Sequence, residues 1–537
     1  MKSSSSITLD ALRSHNRIDD CWIAIDGVVY DVTKFLNVHP AGKQVILSVA
    51  GKDVTSEFYS FHKRDILDKY GEKLKVGLLE SSEKSLQVSA DDEPFDVYTP
   101  FAESSFTRGW KSPYMNPSHH EFRRSMREFM VKHIIPTVEQ VHERGQDPDD
   151  EIFSRLGQAG ILASRCGPCA MPYVTKLGMT LPGGISASDF DYFHEQIAID
   201  EIYRCGSGGV ADGLGGGLTI GLPPVINFGR KKLRERIVPE CLLGNKRICL
   251  AITEPGAGSD VANIQMTAKL NFEKTHYIVN GVKKWITGGY VADYFTTAVR
   301  TGGPGHQGIS LLLIESPSSP DSGSVSRHKI KTSYSGAAGT SLLIFDNVLV
   351  PRENLLGQEG DGFKLIMANF NHERWYICAI SSAFGRHVVG ECYRWAIGRK
   401  AFGKRLIDQP VIRYKLAEMS AAVECLDSWL ESITYQMNTM DMMEQYTNLS
   451  APIALCKFLF TRQGVMLGDN ACQIFGGRAV TRTGMGRIIE YFKNELKLAA
   501  ILGGSEEIVA DLAVRQVTGQ AKKLGEKKNE AKVMLRL

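Results

Sequence analysis

Apolar positions change period along this chain, and the changes divide it into parts. Between Ile7 and Leu79 the runs are short. Trp22-Ile23-Ala24-Ile25 and Val28-Val29-Tyr30-Asp31-Val32 flank Asp26-Gly27, which predicts a β-hairpin with helical stretches after it. Residues 80–105 are polar and partly acidic, hold two prolines and lack a period, the pattern of a linker. From about Pro117 the spacing becomes helical. Phe122, Met126, Phe129 and Met130 recur at helix spacing, Arg155–Cys169 ends in glycine and proline breaks, and helical runs continue to about Leu243. Residues 248–357 turn to β-rich runs (Tyr277-Ile278-Val279, Tyr294–Val299, Ile309–Ile314, Leu342–Phe345) between glycine, Asn-Gly and proline turns, which predicts an antiparallel β-domain. Long helical patterns return from Gly360 to about Thr518, as in a helix bundle, and a lysine-rich tail from Gly519 is expected to fray.

The fold class expected is therefore α+β: a small domain at 1–80, a linker at 81–114, a helical domain at 115–247, a β-domain at 248–357, a second helical domain at 358–520 and a tail at 521–537.

Composition narrows the function classes. The 537 residues are 43% apolar and 23% charged with a net charge of +3, which gives no reason to expect nucleic acid or an anionic membrane as partner. No run of about 18 apolar residues predicts a membrane span. The opening MKSSSSITLDALRSHN lacks the apolar core of a secretory signal and the arginines of a transit peptide. The eleven cysteines then read as reduced thiols of an intracellular protein. Cys166 and Cys169 form a CxxC, but no second pair accompanies them to make a zinc site. Cytosol is the expected location. Leu535-Arg536-Leu537 keeps the peroxisome open, although the small residue normally third from the end is missing.

Two histidines stand out in the small domain. His39, in His39-Pro40-Ala41-Gly42, and His62, after Phe58-Tyr59-Ser60-Phe61, lie on separate loops beside Phe35, Val45, Ile46, Val54 and Phe58. Two imidazoles among apolar side chains can clamp a flat apolar cofactor from both faces, and doing so closes its iron to small molecules. With the hairpin tryptophan, Tyr30-Asp31-Val32-Thr33-Lys34-Phe35 and Ala50-Gly51-Lys52-Asp53-Val54-Thr55, the segment resembles the cytochrome b5 family over nearly all of residues 7–79. The resemblance implies haem b with His39 and His62 as iron ligands. The first glycine of that family's usual His-Pro-Gly-Gly turn is Ala41 here, which would be strained if the position required φ > 0.

Three motifs stand out in the body: Ala251-Ile252-Thr253-Glu254-Pro255-Gly256-Ala257-Gly258-Ser259-Asp260, Lys284-Trp285-Ile286-Thr287-Gly288-Gly289 and Arg399-Lys400-Ala401-Phe402-Gly403-Lys404. The first brings small residues and hydroxyls to a turn, the second an indole and a hydroxyl, the third cations suited to phosphate. With Leu156–Ile161, Gln473-Ile474-Phe475-Gly476-Gly477 and Gly503-Gly504-Ser505-Glu506-Glu507-Ile508, they resemble the acyl-CoA dehydrogenase family across about residues 115–518. The resemblance implies FAD-dependent oxidation of acyl-CoA, as in fatty acid β-oxidation. Thr253, Trp285 and Thr287 would contact the isoalloxazine, and Ser259 would lie near the flavin phosphates or the CoA. Arg399, Phe402, Gln473, Gly476 and Gly477 would hold FAD from a neighbouring subunit of a homodimer or homotetramer. Ser505 and Glu507 belong to the same cofactor-binding set, and Arg374 and Gly503 to the substrate.

The base is expected to be Glu373. Many family members carry a glutamate where Gly503 stands here, and a minority carry it on an earlier helix. Glu373 precedes Arg399 by 26 residues, the separation expected of that minority. Independently, Ile366, Phe370, Ile377, Ile380 and Phe384 fall on one helix face with Glu373 in its middle, and a carboxylate on an apolar stripe is costly unless paired or functional. The backbone N–H of Gly503 would polarise the thioester carbonyl. The glycines between Cys205 and Leu222 would leave room for a long, branched or bulky acyl chain, on a helix or a loop. Electrons would pass through the haem or to an electron-transfer flavoprotein or a reductase. The competing readings are a flavin oxidase of the acyl-CoA oxidase or nitroalkane oxidase type, and an inactive protein that binds haem and flavin.

Overall fold

The computed structural model describes residues 5–59, 61–62, 65–80, 99–107 and 109–534. The chain divides into two compact units, one of Met1–Pro100 with Glu391–Leu416 and Cys472–Arg487, the other of Phe101–Gly390, Ala417–Ala471 and Ile488–Leu537.

In the first unit β1 (Ser5–Ile7), β2 (Asn16–Arg17), β3 (Asp20–Ile25), β4 (Val28–Asp31) and β5 (Lys75–Leu79) make one sheet in the order β1-β5-β4-β3-β2. The expected hairpin joins β3 to β4. Asp26 (φ 49°) and Gly27 (φ 73°) both take the left-handed torsions that a two-residue turn of this twist requires. Cys21, Ile23 and Ile25, alternate residues of β3, pack with Tyr30, Val32, Leu36 and Ile46 in a small core. In the turn after His39 the left-handed torsion falls on Gly42 (φ 82°) and not on Ala41, so the strain expected of alanine there does not arise. The later segments of this unit add a hairpin, Lys400–Ala401 against Lys404–Arg405, and a helical turn at Gly476–Val480. Trp395 stacks on Phe475 at 5.3 Å and donates its indole N–H to the Ile474 carbonyl.

The second unit begins where the sequence suggested linker. Glu103 and Phe106 are 1% and 3% exposed. Four buried arginines explain why. Arg127 and Arg204 pair with Glu103 at 3.0 and 2.6 Å, Arg386 donates to the carbonyls of Phe101 and Glu103, and the Arg123 guanidinium lies 5.0 Å from the Phe106 ring centroid. Charge composition marks such a stretch as solvated because its counter-charges lie far along the chain. Residues 81–98 and 108 of the expected linker lie outside the described residues.

Helix α1 (Pro117–Phe129) starts at Asn116 and α2 (Tyr192–Tyr203) at Asp191, each closed by a histidine at the third position, His119 and His194, in a reciprocal capping box. The two boxes interlock, His119 Nε2 meeting Asp191 Oδ1 at 3.1 Å, which accounts for a His-Asp-His cluster of metal-binding dimensions. The glycine-rich stretch forms two short helices, α3 (Gly208–Gly213) and α4 (Gly216–Gly221), separated at Gly215 (φ 129°).

The central sheet comprises β6 (Ile248–Ala251), β7 (Thr267–Leu270), β8 (His276–Ile286), β9 (Tyr294–Arg300), β10 (Ile309–Glu315), β11 (Ser324–Lys329), β12 (Ser341–Pro351) and β13 (Leu355–Leu356). Its order is β11-β12-β8-β7-β9-β10-β13, with β6 on β9. The expected antiparallel domain is thus mixed. β6 runs parallel to β9, as does the short β7 contact, because β6 arrives from the preceding helices rather than from a hairpin. Five long helices follow, α5 (Gly362–Gly398), α6 (Pro410–Thr439), α7 (Ser450–Phe475), α8 (Arg487–Ile501) and α9 (Glu506–Met534), with a short one at Met442–Asn448 between α6 and α7. The tail expected to fray continues α9 to Met534, in keeping with the helix propensity of alanine, lysine and glutamate, and residues 535–537 lie outside the described ones.

Candidate functional site

On α5 the side chains of Glu373, Tyr376, Ile377, Ile380, Ser381 and Phe384 share one face, and that face lines an elongated cavity. The cavity holds about 920 Å³ of atom-free space, its open mouth included. Helix α8 lines the opposite side antiparallel. Phe492 meets Phe384 at 4.9 Å, and a Cβ on Gly503, just past the end of α8, would lie 3.8 Å from Glu373 Oε1. Glu373 is 9% exposed, and its Oε2 has no hydrogen-bond partner. Burial pushes its carboxyl up to about 7, against the pull of the Arg374, His372 and Lys457 cations. An orphaned, partly protonated carboxylate facing a cavity is what proton abstraction needs. His372, its neighbour, turns away to pair with buried Glu195 at 2.7 Å.

Two cations shape the loop opposite Glu373. Arg374, assigned from the sequence to substrate, gives its Nε–H to the Gly503 carbonyl at 2.8 Å. Lys457, which the sequence did not flag, donates to the carbonyls of Ala500 (3.1 Å) and Gly504 (2.6 Å). Gly503 (φ 64°) and Gly504 (φ 103°) hold torsions that favour glycine, so the loop's peptide planes are fixed from both sides. Beyond it Ser505 and Glu507 open α9, their side chains hydrogen-bonded to each other, and this bond and a backbone one hold the Glu507 carboxyl below its ordinary range.

Thr287 of the β-domain lines the same cavity as Glu373. The Thr253 carbonyl accepts from Lys284 N at 2.9 Å, and Trp285 takes a left-handed torsion (φ 64°) that leaves its indole 50% exposed. Gly256 and Gly258 face open space and Ser259 is exposed, so the turn offers backbone and a hydroxyl to a ligand. An exposed indole, a hydroxyl on the cavity wall and an open glycine turn fit a flat heterocycle with a phosphate tail. The turn is held from behind by an ion pair missing from the sequence reading. Lys283 Nζ lies 2.8 Å from both Glu254 Oε1 and the Ile252 carbonyl, while Glu254 accepts from the N–H groups of Gln265 and Met266. Burial lowers the Lys283 ammonium to about 8. Lys283→Met strands Glu254 in the core, an expected loss of about 3–5 kcal/mol. Denaturant midpoints and the ratio of flavin to protein absorbance are expected to fall together.

Arg399, Phe402, Gln473, Gly476 and Gly477 belong to the first unit, Arg399 half-buried and the others exposed. Phe402 is 98% exposed at a hairpin tip, Gln473 is exposed, and nothing lies within 4 Å of a Cβ added at Gly476 or Gly477. Arg399 sits close enough to Arg478 to add to the burial that lowers the Arg478 guanidinium. In the same unit the rings of His39 and His62 stand 6.0 Å apart at 82°, and Phe35 and Phe58 flank them at 6.1 and 5.0 Å. Val38, Val45 and Phe61 leave apolar surface exposed in the segments around these histidines. Paired imidazoles beside uncovered apolar side chains fit an apolar iron macrocycle.

Of the glycine run expected to leave room for the acyl chain, Gly208 and Gly216 line the cavity, whereas other members are packed closed. A Cβ would approach to 2.7 Å of Ser335 Cβ at Gly209, 2.3 Å of the Ala337 oxygen at Gly213 and 2.6 Å of the Cys249 carbonyl carbon at Gly221. These glycines let α3 and α4 lie directly on neighbouring backbone. Cys166 and Cys169 are free thiols, with Cys169 Sγ donating to the Cys166 carbonyl.

Comparison with known proteins accords with this geometry. The family description "Acyl-CoA dehydrogenase, C-terminal domain" matches residues 360–518, "Acyl-CoA dehydrogenase, middle domain" residues 249–348, and "Cytochrome b5-like Heme/Steroid binding domain" residues 8–80. The acyl-CoA dehydrogenase apdG of Emericella nidulans is 38% identical over 435 residues, covering 79% of this chain and 98% of its own. The acyl-CoA dehydrogenase AFT10-1 of Alternaria alternata is 36% identical over 424 residues, covering 79% and 96%. Among solved structures, an acyl-CoA dehydrogenase of Geobacillus kaustophilus superposes with a TM-score of 0.65 at 26% identity, over 76% of this chain and 100% of that one.

Proposed function

The chain belongs to the acyl-CoA dehydrogenase family and carries a cytochrome b5-like domain at its N-terminus, and from this premise we propose that it desaturates an acyl-CoA thioester between the α and β carbons with Glu373 as base. One observation carries the reading: a buried carboxylate, raised to about 7 and with an unpartnered oxygen, lines the same cavity as Thr287. Glu373 takes the α-proton, and the C–H electron pair becomes the new C=C bond as hydride leaves the β-carbon. FAD, when bound, accepts that hydride, and haem, when bound, carries electrons singly. Thr253, Trp285, Thr287 and Ser259 would hold the flavin and its phosphates, and the Gly503 loop, fixed by Arg374 and Lys457, would present a backbone donor to the thioester oxygen. The exposed Phe402, Gln473, Gly476 and Gly477, with the half-buried Arg399, support FAD sharing between subunits of a homodimer or homotetramer. His39 and His62 would ligate the haem iron, and the final acceptor is the haem or an external electron-transfer flavoprotein or reductase. No described helix is long and apolar enough to cross a membrane, and we place the protein in the cytoplasm, with the peroxisome as the alternative.

Anaerobic mixing with straight and branched acyl-CoAs tests this. Flavin bleaching followed by haem reduction is the expected result. Bleaching with haem left oxidised would move the acceptor outside the chain, and no bleaching with any thioester would leave a binding protein. Rapid reoxidation of bleached flavin by air would favour the oxidase reading.

A further inference from the structure

We propose that the acyl cavity selects chains bearing a hydroxyl or oxo group well beyond the thioester, and that Glu495, Tyr203 and Asp212 form the subsite that recognises it. The proposal rests on the dehydrogenase reading and adds the substrate class. Glu495 lies on α8, seven residues before Leu502 at the base's end of the cavity, about 10 Å of helix rise. The wall near it is apolar, built by Ile380, Phe384, Phe492 and Leu496. Into that wall the chain places one buried carboxyl group, one half-buried one and a phenol. Glu495 is 8% exposed and accepts from Gly208 N at 3.0 and 2.8 Å, and no cation pairs with it among the described residues. The Tyr203 hydroxyl donates to Asp212 at 2.6 Å, and Arg165, itself fully buried, donates to Tyr376 on the same cavity.

Such groups are costly in an apolar tunnel that serves only alkyl chains. Each one that loses water without gaining a partner costs on the order of 1–3 kcal/mol. Burial, with Asp212 and Glu490 adding their charge, pushes Glu495 up to about 8. Near neutrality it is therefore largely protonated. With both oxygens already accepting from Gly208, its O–H is left to seek an acceptor in the cavity. An alkyl chain leaves that O–H unanswered, whereas a hydroxyl or carbonyl oxygen at this depth accepts it. If Glu495 served only to tie α3 to α8, substrate oxygenation would be irrelevant.

The test compares decanoyl-CoA with its 5-, 7- and 9-hydroxy and oxo counterparts on the holoenzyme, reading kcat/KM for anaerobic flavin reduction. At least one oxygenated chain is expected to exceed decanoyl-CoA by about tenfold, the worth of one good hydrogen bond. Glu495→Leu should bring that ratio towards one, chiefly through KM. Because Glu495→Leu also removes the acceptor of Gly208, Tyr203→Phe is measured beside it as a substitution that keeps shape and fold. Calorimetric titration of Glu373→Gln protein, which binds without turnover, should show the same ratio in Kd. Equal or better use of decanoyl-CoA than of every oxygenated chain, or a ratio that survives both variants, overturns the subsite while the dehydrogenase reading stands. Absence of bleaching with every chain removes both.

Discussion

Glu373→Gln protein will bind FAD and acyl-CoA yet reduce its flavin about 10³-fold more slowly, the middle of the range that a general base contributes. The amide keeps the shape of the carboxylate and removes only its basicity, so stability should hold or rise: the substitution relieves the cost of burying a charge. The intact protein should show the complementary pH dependence. Burial raises the Glu373 carboxyl to about 7, and the base acts only when ionised. Hence kcat/KM climbs as pH rises through about 7 and levels off above it, and that limb vanishes in Glu373→Gln. Stopped-flow flavin absorbance across pH measures both. A limb that persists in the variant would assign the titration to another group, Glu495 at about 8 being the alternative in the same cavity. Undiminished bleaching by Glu373→Gln would remove the mechanism.

How far the sequence could lead differs from residue to residue. Glu373 was legible because helix periodicity put a carboxylate among Ile366, Phe370, Ile377 and Ile380, a local pattern that needs no knowledge of the rest of the chain. Glu495 carries the same signal, a carboxylate between Phe492 and Leu496 on a helix rich in apolar residues, and the same test applied there would have found it. Arg374 stands beside the base in sequence and was read as a substrate contact. Only the fold shows its Nε bound to a carbonyl 129 positions away. The buried pair Lys283–Glu254 and the arginines that fix Glu103 were hidden for the same reason, since charge partners distant in sequence leave no periodic trace. Gly208 and Gly216 do line the cavity, but Gly209, Gly213 and Gly221 misled in the opposite sense. A missing side chain reads as space from sequence alone, yet in a packed interior it more often admits another backbone.

His39→Ala and His62→Ala should each abolish the spectrum of a haem held by two imidazoles and leave the first half of the reaction running. The two rings stand nearly perpendicular with their centroids 6.0 Å apart, and among the described residues no other histidine lies in that ring cluster. Removing one ring leaves the other as a single ligand in a segment whose Val38 and Val45 are already exposed, so haem retention should fall steeply and any retained iron should gain an open position. Glu373, Thr253 and Thr287 belong to the other compact unit, and neither histidine is among the residues assigned to FAD, so flavin reduction by acyl-CoA should keep its rate in both variants. Absorbance in the Soret region and anaerobic flavin bleaching, read on the same sample, separate the two effects. Loss of bleaching in the histidine variants would mean that the small domain supports the dehydrogenase fold itself. An unchanged haem spectrum in either one would take the iron away from that histidine.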